Sequence, residues 1–265
     1  MSVPQTWDPG QYDRFKAERS QPFWDLAALI GPRSSPRMVD LGCGTGELTV
    51  ALAERLGAVD VLGIDHADAM LALAADRATP TIRFERGDIA TFSDPGAWDI
   101  VLSNAALQWV PDHAAVLARW VASLRPAGRL AVQVPANADH PSHTVAAEVA
   151  AAEPFRSAFV NGPPHDPVAQ SVLAPERYAE LLVGLGLTDV HVRLQVYPHV
   201  LASTAEIVEW VKGTTLTRFR AALPETLYDE FVDRYRTALV ARLGDRRPCL
   251  YPFKRILFAA SAPAG

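Results

Sequence analysis

A glycine-rich turn preceded by an aspartate is the first feature that could do chemistry. The run Val39-Asp40-Leu41-Gly42-Cys43-Gly44-Thr45-Gly46 ends an apolar segment and leads into a helical pattern. Such glycines let the backbone turn sharply and bring a ligand against main-chain N–H groups. A dinucleotide loop is disfavoured, because Glu47 stands where its third glycine belongs, and a P-loop is disfavoured because no lysine follows. Asp40 is unsuited to a phosphate and suits a cationic amino-acid ligand.

Two more acids follow the next two predicted strands. Asp65 comes 19 positions after Gly46, where a carboxylate can accept hydrogen bonds from vicinal ribose hydroxyls. His66 follows it directly. Asp88 could accept from an exocyclic amine while Ile89 packs on a base. The alternative is that each acid only caps the helix that follows it. Because parallel strands end at one edge, all these groups are expected to meet there.

The elements that must position these acids alternate between strand and helix patterns. This alternation predicts an α/β fold, a doubly wound and mostly parallel sheet with helices on both faces. The predicted strands are Met38–Leu41, Val59–Asp65, Ile82–Glu85, Trp98–Ser103, Arg129–Val134, Thr188–Val196 and Phe253–Ala260. The predicted helices between them are Glu47–Leu56, Ala67–Arg77, Asp112–Leu124 and Pro175–Leu185.

The alternation is interrupted twice by helical patterns, at 135–174 and at 200–250. The first contains an Ala-rich helix near Thr144–Ala152, and the second is helical over about Ser203–Leu243. We therefore predict one domain over 1–265, with an N-terminal arm at 1–30 and two insertions. The arm and the insertions are expected to form a lid that excludes water.

The composition and charge of the chain argue against several classes of function. The 265 residues carry 25 Lys+Arg and 30 Asp+Glu, a formal net charge of −5, which argues against a general binder of nucleic acid or anionic membranes. No apolar run reaches the roughly 18 residues of a spanning helix. The N-terminus lacks a basic and apolar leader, and only two cysteines occur. These features predict a reduced, cytoplasmic protein, either a monomer or a weak homo-oligomer.

Taken together, the loop and the acids resemble the class I S-adenosylmethionine-dependent methyltransferases. In that family a D-x-G-x-G-x-G loop binds the methionine part, the acid closing strand two binds the ribose, and the acid after strand three binds the adenine. The resemblance implies a seven-stranded sheet with its last strand antiparallel, and S-adenosyl-L-methionine as cofactor with S-adenosyl-L-homocysteine as product. The predicted cofactor-binding residues are Asp40, Gly42, Gly44, Gly46, Asp65, His66, Asp88, Ile89 and Asn104.

Other segments are similar to members of this family that methylate one carboxylate of a small tricarboxylate. They are Ala17–Ser20, Asn104–His113, Leu130–Pro135 and Phe253–Arg255. The resemblance implies a monomethyl ester as product. A carboxylate with a pKa near 4 is already ionised at neutral pH, so we predict no general base and catalysis by positioning and desolvation. We predict no metal site, because the two histidines in 139–143 flank a proline typical of a helix start.

A trianionic substrate needs local cations, preferably guanidinium groups. The substrate-binding candidates are Arg255, Arg19, Gln108 and Trp109. Successive residues on a strand face opposite sides, so at most one of Lys254 and Arg255 should face the site, and the resemblance favours Arg255. Arg19 lies in the arm and could contact the substrate, the cofactor carboxylate or solvent, whereas Trp109 could equally be a core residue.

Two alternatives remain open. A methyltransferase acting on a hydroxyl, amine or carbon would need a base, for which His140, His143 and His165 are candidates. A module that binds the cofactor without catalysis is the second alternative, although a large lid would then have no purpose.

Overall fold

A mixed seven-stranded sheet organises the fold. The structure is a computed structural model that describes residues 16–265, with side chains described from Ser20 onward. The strands are β1 (Arg37–Leu41), β2 (Asp60–Asp65), β3 (Ile82–Arg86), β4 (Trp98–Asn104), β5 (Leu124–Pro135), β6 (Thr188–Leu201) and β7 (Cys249–Ser261). Their order is β3-β2-β1-β4-β5-β7-β6, with parallel pairing from β3 to β5 and antiparallel pairing of β5 with β7. The predicted α/β class and the antiparallel last strand are confirmed.

The helices lie before and between these strands along the described chain. They are α1 (Lys16–Ala27), α2 (Glu47–Leu56), α3 (Asp68–Ala75), α4 (His113–Ala122), α5 (Pro141–Ala150), α6 (Phe155–Ala158), α7 (Pro167–Ser171), α8 (Pro175–Gly184), α9 (Ala205–Lys212), α10 (Thr217–Ala222) and α11 (Glu225–Leu243). No helix in the described residues is long and apolar enough to cross a membrane.

One face of the sheet is covered by α1 and α2. Phe23 and Leu26 of α1 are buried in a cluster that includes Ile100 and Leu102 of β4 and Leu257 of β7. Burying a Phe or Leu side chain stabilises a fold by about 1.5–3 kcal/mol. On the same face, the carboxyl end of β4 carries the polar side chain of Asn104, two residues after the buried Leu102.

The chain divides into two compact units, each described separately. The sheet unit contains Ser20–Pro135, Ser171–Gln195 and Lys254–Gly265, and the helical unit includes Ala136–Gln170 and Val196–Phe253. The segments of the helical unit include most of the two predicted insertions. Their predicted role as a lid stays a prediction, and residues 1–15, half of the predicted N-terminal arm, lie outside the described residues.

The helical unit has its own aromatic core. Phe231 of α11 packs against Phe155 and Phe219, with ring centroids 5.2 and 4.7 Å apart. Tyr228 and Tyr235, one turn to either side of Phe231, are also buried. The aromatic spacing of this helix therefore belongs to core packing.

Several predicted boundaries were wrong: β6 continues past Val196 to Leu201, β7 begins at Cys249 rather than Phe253, and two helix ends differ for local reasons. The helix expected to reach Leu124 ends at Ala122, and Leu124 instead begins β5 and pairs with Trp98. Pro126 lacks the N–H that a continuing helix needs, although Leu124 fits the helical spacing. The helix expected from Thr144 begins at Pro141, because His140 Nδ1 accepts the N–H of Ser142 (3.1 Å) and caps it.

Candidate functional site

The glycine loop between β1 and α2 has the backbone that its sequence requires. Gly42, Gly44 and Gly46 have φ values of +89°, +56° and +73°. Residues other than glycine rarely adopt positive φ values. A Cβ at Gly42 would lie 2.2 Å from Cβ of Ala106, so the loop after β4 packs directly on this turn. At Gly44 a Cβ would meet nothing within 4 Å. The open side of the loop at Gly44 is therefore the surface against which a ligand can lie.

Asp65, at the end of β2, is hydrogen-bonded to the loop. Its Oδ2 accepts the N–H of Gly44 (2.9 Å) and its Oδ1 accepts the N–H of Ala67 (2.9 Å), just before α3. Asp65 therefore contacts the glycine loop and the turn before α3, but it does not cap that helix, whose N-cap residue is Ala67 with no side-chain cap hydrogen bond. The capping alternative also fails for Asp88, because no helix lies between β3 and β4. Each carboxylate oxygen retains a lone pair with which it could accept a ribose hydroxyl. His66 is 82% exposed, with Nδ1 3.7 Å from Asp65.

Asp40 is a buried acid at the base of the loop. Its Oδ2 accepts the hydroxyl of Thr49 on α2 (2.5 Å), and the residue is 3% exposed. Burial raises the pKa of Asp40 to about 7, with the hydrogen bond from Thr49 opposing the shift and the charge of Asp65 adding to it. Among the described residues no basic side chain compensates this acid, so it is suited to a cation supplied by a ligand.

The turn after β3 is held by α4. Asp88 is exposed, and its Oδ1 accepts the N–H of Ala90 (2.8 Å). The carbonyl of Ile89 accepts from Trp120 Nε1 (2.9 Å), and that of Ala90 accepts from Arg119 Nε (2.9 Å). These bonds fix the turn while leaving one oxygen of Asp88 available at the surface.

Two amide side chains with buried oxygen atoms lie at the end of β4 and in the loop that follows it. Asn104 Oδ1 is buried and accepts no hydrogen bond from the described residues, and the same is true of Gln108 Oε1. Gln108 Nε2 donates to the carbonyl of Ala105 (2.6 Å), which has a φ of +54°. Trp109, the neighbouring candidate, is 39% exposed and so is not a core residue. Buried acceptors without donors are costly, which is consistent with a ligand supplying the donors.

A hydrogen-bonded pair that the sequence did not reveal supports this loop. His113 of α4 contacts the carbonyl of Leu107 through Nε2 (2.9 Å) and the hydroxyl of Tyr178 on α8 through Nδ1 (2.8 Å). Burial lowers the pKa of His113, which favours the neutral ring that this pairing needs. The pair holds the 3₁₀ turn Leu107–Trp109 in place. Residues 65 positions apart leave no local pattern that could predict their contact.

Arg255 lies on β7 beside a buried glutamine. Its Nη1 donates to Oε1 of Gln133 on β5 (3.0 Å), and Gln133 has no exposed surface. Gln133 Nε2 has no acceptor among the described residues. The sequence did not single out Gln133, although a glutamine inside the apolar strand Leu130–Pro135 was an available signal.

The strand register places these groups on one face. Asn104 is the direct partner of Gln133, and Gln133 is the partner of Leu257, which shares a face with Arg255. Asp40 pairs with Leu102, two residues before Asn104, so it belongs to the same face. Lys254 faces the other way, as the alternation predicts. This edge of the sheet unit thus offers an acid for a cation and a guanidinium with amide donors for an anion.

Two glycine substitutions separate backbone strain from ligand binding. Gly44 and Gly57 have φ values of +56° and +60°, and a Cβ at either would meet nothing within 4 Å. We expect Gly44→Ala and Gly57→Ala each to lower the free energy of unfolding by about 1–2 kcal/mol. Only Gly44→Ala should weaken S-adenosylmethionine binding, by about tenfold or more, because its methyl group would occupy the open side of the loop where the cofactor is expected to lie. Calorimetry and denaturant unfolding measure both effects, and equal cofactor affinity in the two variants would contradict this assignment.

The side chain of Arg19, a predicted site residue, lies outside the described residues. The predicted roles of the other residues stay predictions, although Asp40, Asn104 and Arg255 do share one face of the sheet.

Comparison with known proteins gives consistent results. A family model described as "Methyltransferase domain" matches residues 38–128. A protein from Deinococcus radiodurans named trans-aconitate 2-methyltransferase is 46% identical, covering 97% of this chain and 99% of its own. Proteins of the same name from Streptomyces coelicolor (37% identical, 98% and 88% covered) and Mycobacterium tuberculosis (35%, 96% and 96%) also match.

Solved structures share the fold at low identity. A phosphoethanolamine N-methyltransferase from Haemonchus contortus with bound S-adenosylhomocysteine superposes with a TM-score of 0.56 at 18% identity, covering 92% of this chain and 53% of its own. A geranyl diphosphate methyltransferase bound to its methyl donor gives 0.54 at 18%, covering 96% and 91%.

Proposed function

Because the chain belongs to the S-adenosylmethionine-dependent methyltransferase family that includes the trans-aconitate 2-methyltransferases, we propose that it methylates one carboxylate of trans-aconitate. The products are a monomethyl ester and S-adenosylhomocysteine. The observation that carries this proposal is the 35–46% identity, over nearly the whole chain, to proteins of that name.

The cofactor fits the residues at the carboxyl edge of β1 to β4. The open side of Gly44 receives the methionine part, and the uncompensated carboxylate of Asp40 attracts its positive charge. Asp65 accepts from the ribose hydroxyls, with His66 beside it. Asp88 accepts from the adenine amine, and Ile89 packs on the base. Oδ1 of Asn104, which accepts no hydrogen bond from the described residues, accepts one from an N–H or O–H group of the cofactor.

The chemistry requires little of the protein besides positioning. S-adenosylmethionine supplies an electrophilic methyl group, and a carboxylate oxygen that is already ionised takes it while sulfur becomes a neutral thioether. No proton moves, so no general base is required. The side chains hold the acid in line with the methyl group and remove water from the reacting oxygen.

Substrate binding is assigned to Arg255 and Gln133. The guanidinium and the unused N–H₂ group of Gln133 present donors from one face of the sheet, and a carboxylate can accept from both. Gln108 and Trp109 lie on the loop that follows Asn104, and we assign them to the substrate side of the site. Arg19 is a further candidate for a substrate or cofactor carboxylate.

Transfer of labelled methyl from S-adenosylmethionine tests the proposal directly. Trans-aconitate should be labelled faster than cis-aconitate, citrate or a phenolic acid, and mild alkali should release the label because the product is an ester. Tight cofactor binding without labelling of any acid would overturn the substrate, and alkali-stable labelling of the phenolic acid would favour hydroxyl methylation.

A further inference from the structure

A second group of ionisable side chains lies within the helical unit and includes none of the residues assigned above to the cofactor or the substrate. His143 comes from α5, Asp166 from the loop before α7, Thr215 from the turn before α10, and Arg218 from α10. We call these four residues the Asp166 cluster. Each of the three ionisable side chains is exposed by only 7–12%.

Asp166 holds the two basic side chains of the cluster. Its Oδ2 lies 2.6 Å from Nδ1 of His143 and 3.2 Å from Nη1 of Arg218, and its Oδ1 accepts the N–H of Val168 (2.9 Å). Burial alone would raise the pKa of Asp166, but the hydrogen bond from His143 and the two positive charges hold it at about 2. Asp166 is therefore a fixed anion that orients both partners.

Arg218 packs over the ring of Phe219, with Cζ 4.6 Å from the ring centroid, and one edge of its guanidinium has no hydrogen-bond partner among the described residues. Nη1 contacts Asp166, whereas Nε and Nη2 have no hydrogen-bond partner among the described residues, and Nε is fully buried. The Nε and Nη2 groups of a guanidinium together match the two oxygens of a carboxylate. Leaving such charged donors unsatisfied inside a protein is costly.

Thr215 and His143 add two further polar groups to the Asp166 cluster. Thr215 Oγ1 is 3.3 Å from Nε2 of His143, the ring nitrogen that faces away from Asp166. The hydroxyl can turn to donate to an incoming oxygen. Among the described lysines and arginines of the helical unit, Arg218 is the one whose side chain is nine-tenths buried.

We propose that Arg218, Thr215 and His143 form a carboxylate-binding site in the helical unit, with Asp166 positioning its two basic groups. The carboxylate could belong to the acid that is methylated, in which case the inference rests on the proposed function, or to a separate small acid that regulates the protein. The chemistry of recognition is the same for both sources.

Binding of acids to the full chain in the presence of S-adenosylhomocysteine tests the site. Arg218→Gln and Thr215→Val should weaken the affinity for trans-aconitate or for citrate, by about 30-fold and about fivefold respectively. Arg234→Gln is the matched control, because that arginine of α11 is 49% exposed and pairs with Glu230. Binding of S-adenosylhomocysteine should be unchanged in all three variants.

Arg218→Gln removes one of the two basic partners of the buried Asp166 and could unfold the unit. The double variant Asp166→Asn/Arg218→Gln removes both charges and keeps the test valid, and its affinity for acids should also fall.

The results also identify the source of the carboxylate. A parallel rise in the KM for trans-aconitate assigns the site to the substrate, whereas an unchanged KM with lost citrate binding assigns it to a separate acid. If the variants lower the unfolding temperature but leave every acid affinity and the KM unchanged, the cluster is purely structural and the proposal is wrong. Failure of the wild type to methylate trans-aconitate would refute the proposed function alone, since citrate binding is measured independently.

Discussion

Asp40→Asn is expected to make the ligand-free protein more stable at pH 8 and to weaken its binding of S-adenosylmethionine. The carboxylate is 3% exposed, and among the described residues no basic group offsets its charge. Asparagine keeps an oxygen that can accept the hydroxyl of Thr49 and removes the buried charge. The variant should therefore gain stability and bind the cofactor about tenfold to 100-fold more weakly.

The sign of the pH dependence follows from the direction of the shift. The pKa of Asp40 rises from 3.8 to about 7 on folding, so the folded state prefers the protonated form. The stability that this group contributes is fully present below about pH 4 and is lost as the pH rises to about 7. The full difference amounts to about 4 kcal/mol. Asp40→Asn removes this dependence, so its gain over wild type should grow from pH 4 to pH 7 and then level off.

Asp60→Asn is the matched control with the opposite sign. Burial of Asp60 raises its pKa, but hydrogen bonds and charges from Arg37 and Arg83 outweigh it, and the net pKa is lowered. Asp60→Asn should therefore destabilise the protein at pH 8 and leave cofactor binding intact. Urea unfolding at several pH values and calorimetric titration of the cofactor measure both. A destabilised Asp40→Asn protein at pH 8 with normal cofactor affinity would contradict our view of this acid.

The sequence predicted those features that depend on residues close together in the chain. The bounds of α2 and the positive φ of all three loop glycines follow from local residue types. The proximity of Asp65 to the loop follows from parallel strands ending at one edge.

The site features that the sequence did not predict are contacts between residues far apart in the chain. The bond between Tyr178 and His113 joins α8 to α4, and the bond between Arg255 and Gln133 joins residues 122 positions apart. The Asp166 cluster takes its residues from three separate segments of the helical unit, one of them a loop without any recognised motif. Such sites depend on tertiary packing, for which hydrophobic periodicity carries no information.

Arg255→Gln is expected to lower kcat/KM for trans-aconitate by about 100-fold, equivalent to about 2.7 kcal/mol of transition-state binding. The loss follows from removing the charged partner of a substrate carboxylate next to the buried Gln133. Arg255→Lys keeps the charge and a donor for Gln133 but loses the planar fork, so a loss of about tenfold is expected. Labelled-methyl kinetics with trans-aconitate as the varied substrate measures both variants.

Lys254→Gln supplies the control, because it removes one positive charge from the adjacent position of the same strand. Any general effect of net charge on a trianionic substrate would be shared by both positions, whereas a specific contact belongs only to the residue on the face that carries Gln133 and Asn104. Lys254→Gln should change kcat/KM less than threefold, and all three variants should bind S-adenosylmethionine normally. Equal losses at 254 and 255 would reduce the role of Arg255 to long-range attraction. A loss confined to 255 would place a carboxylate of the substrate against the guanidinium. Such a contact would hold the substrate in position, which is what methyl transfer by positioning without a general base needs.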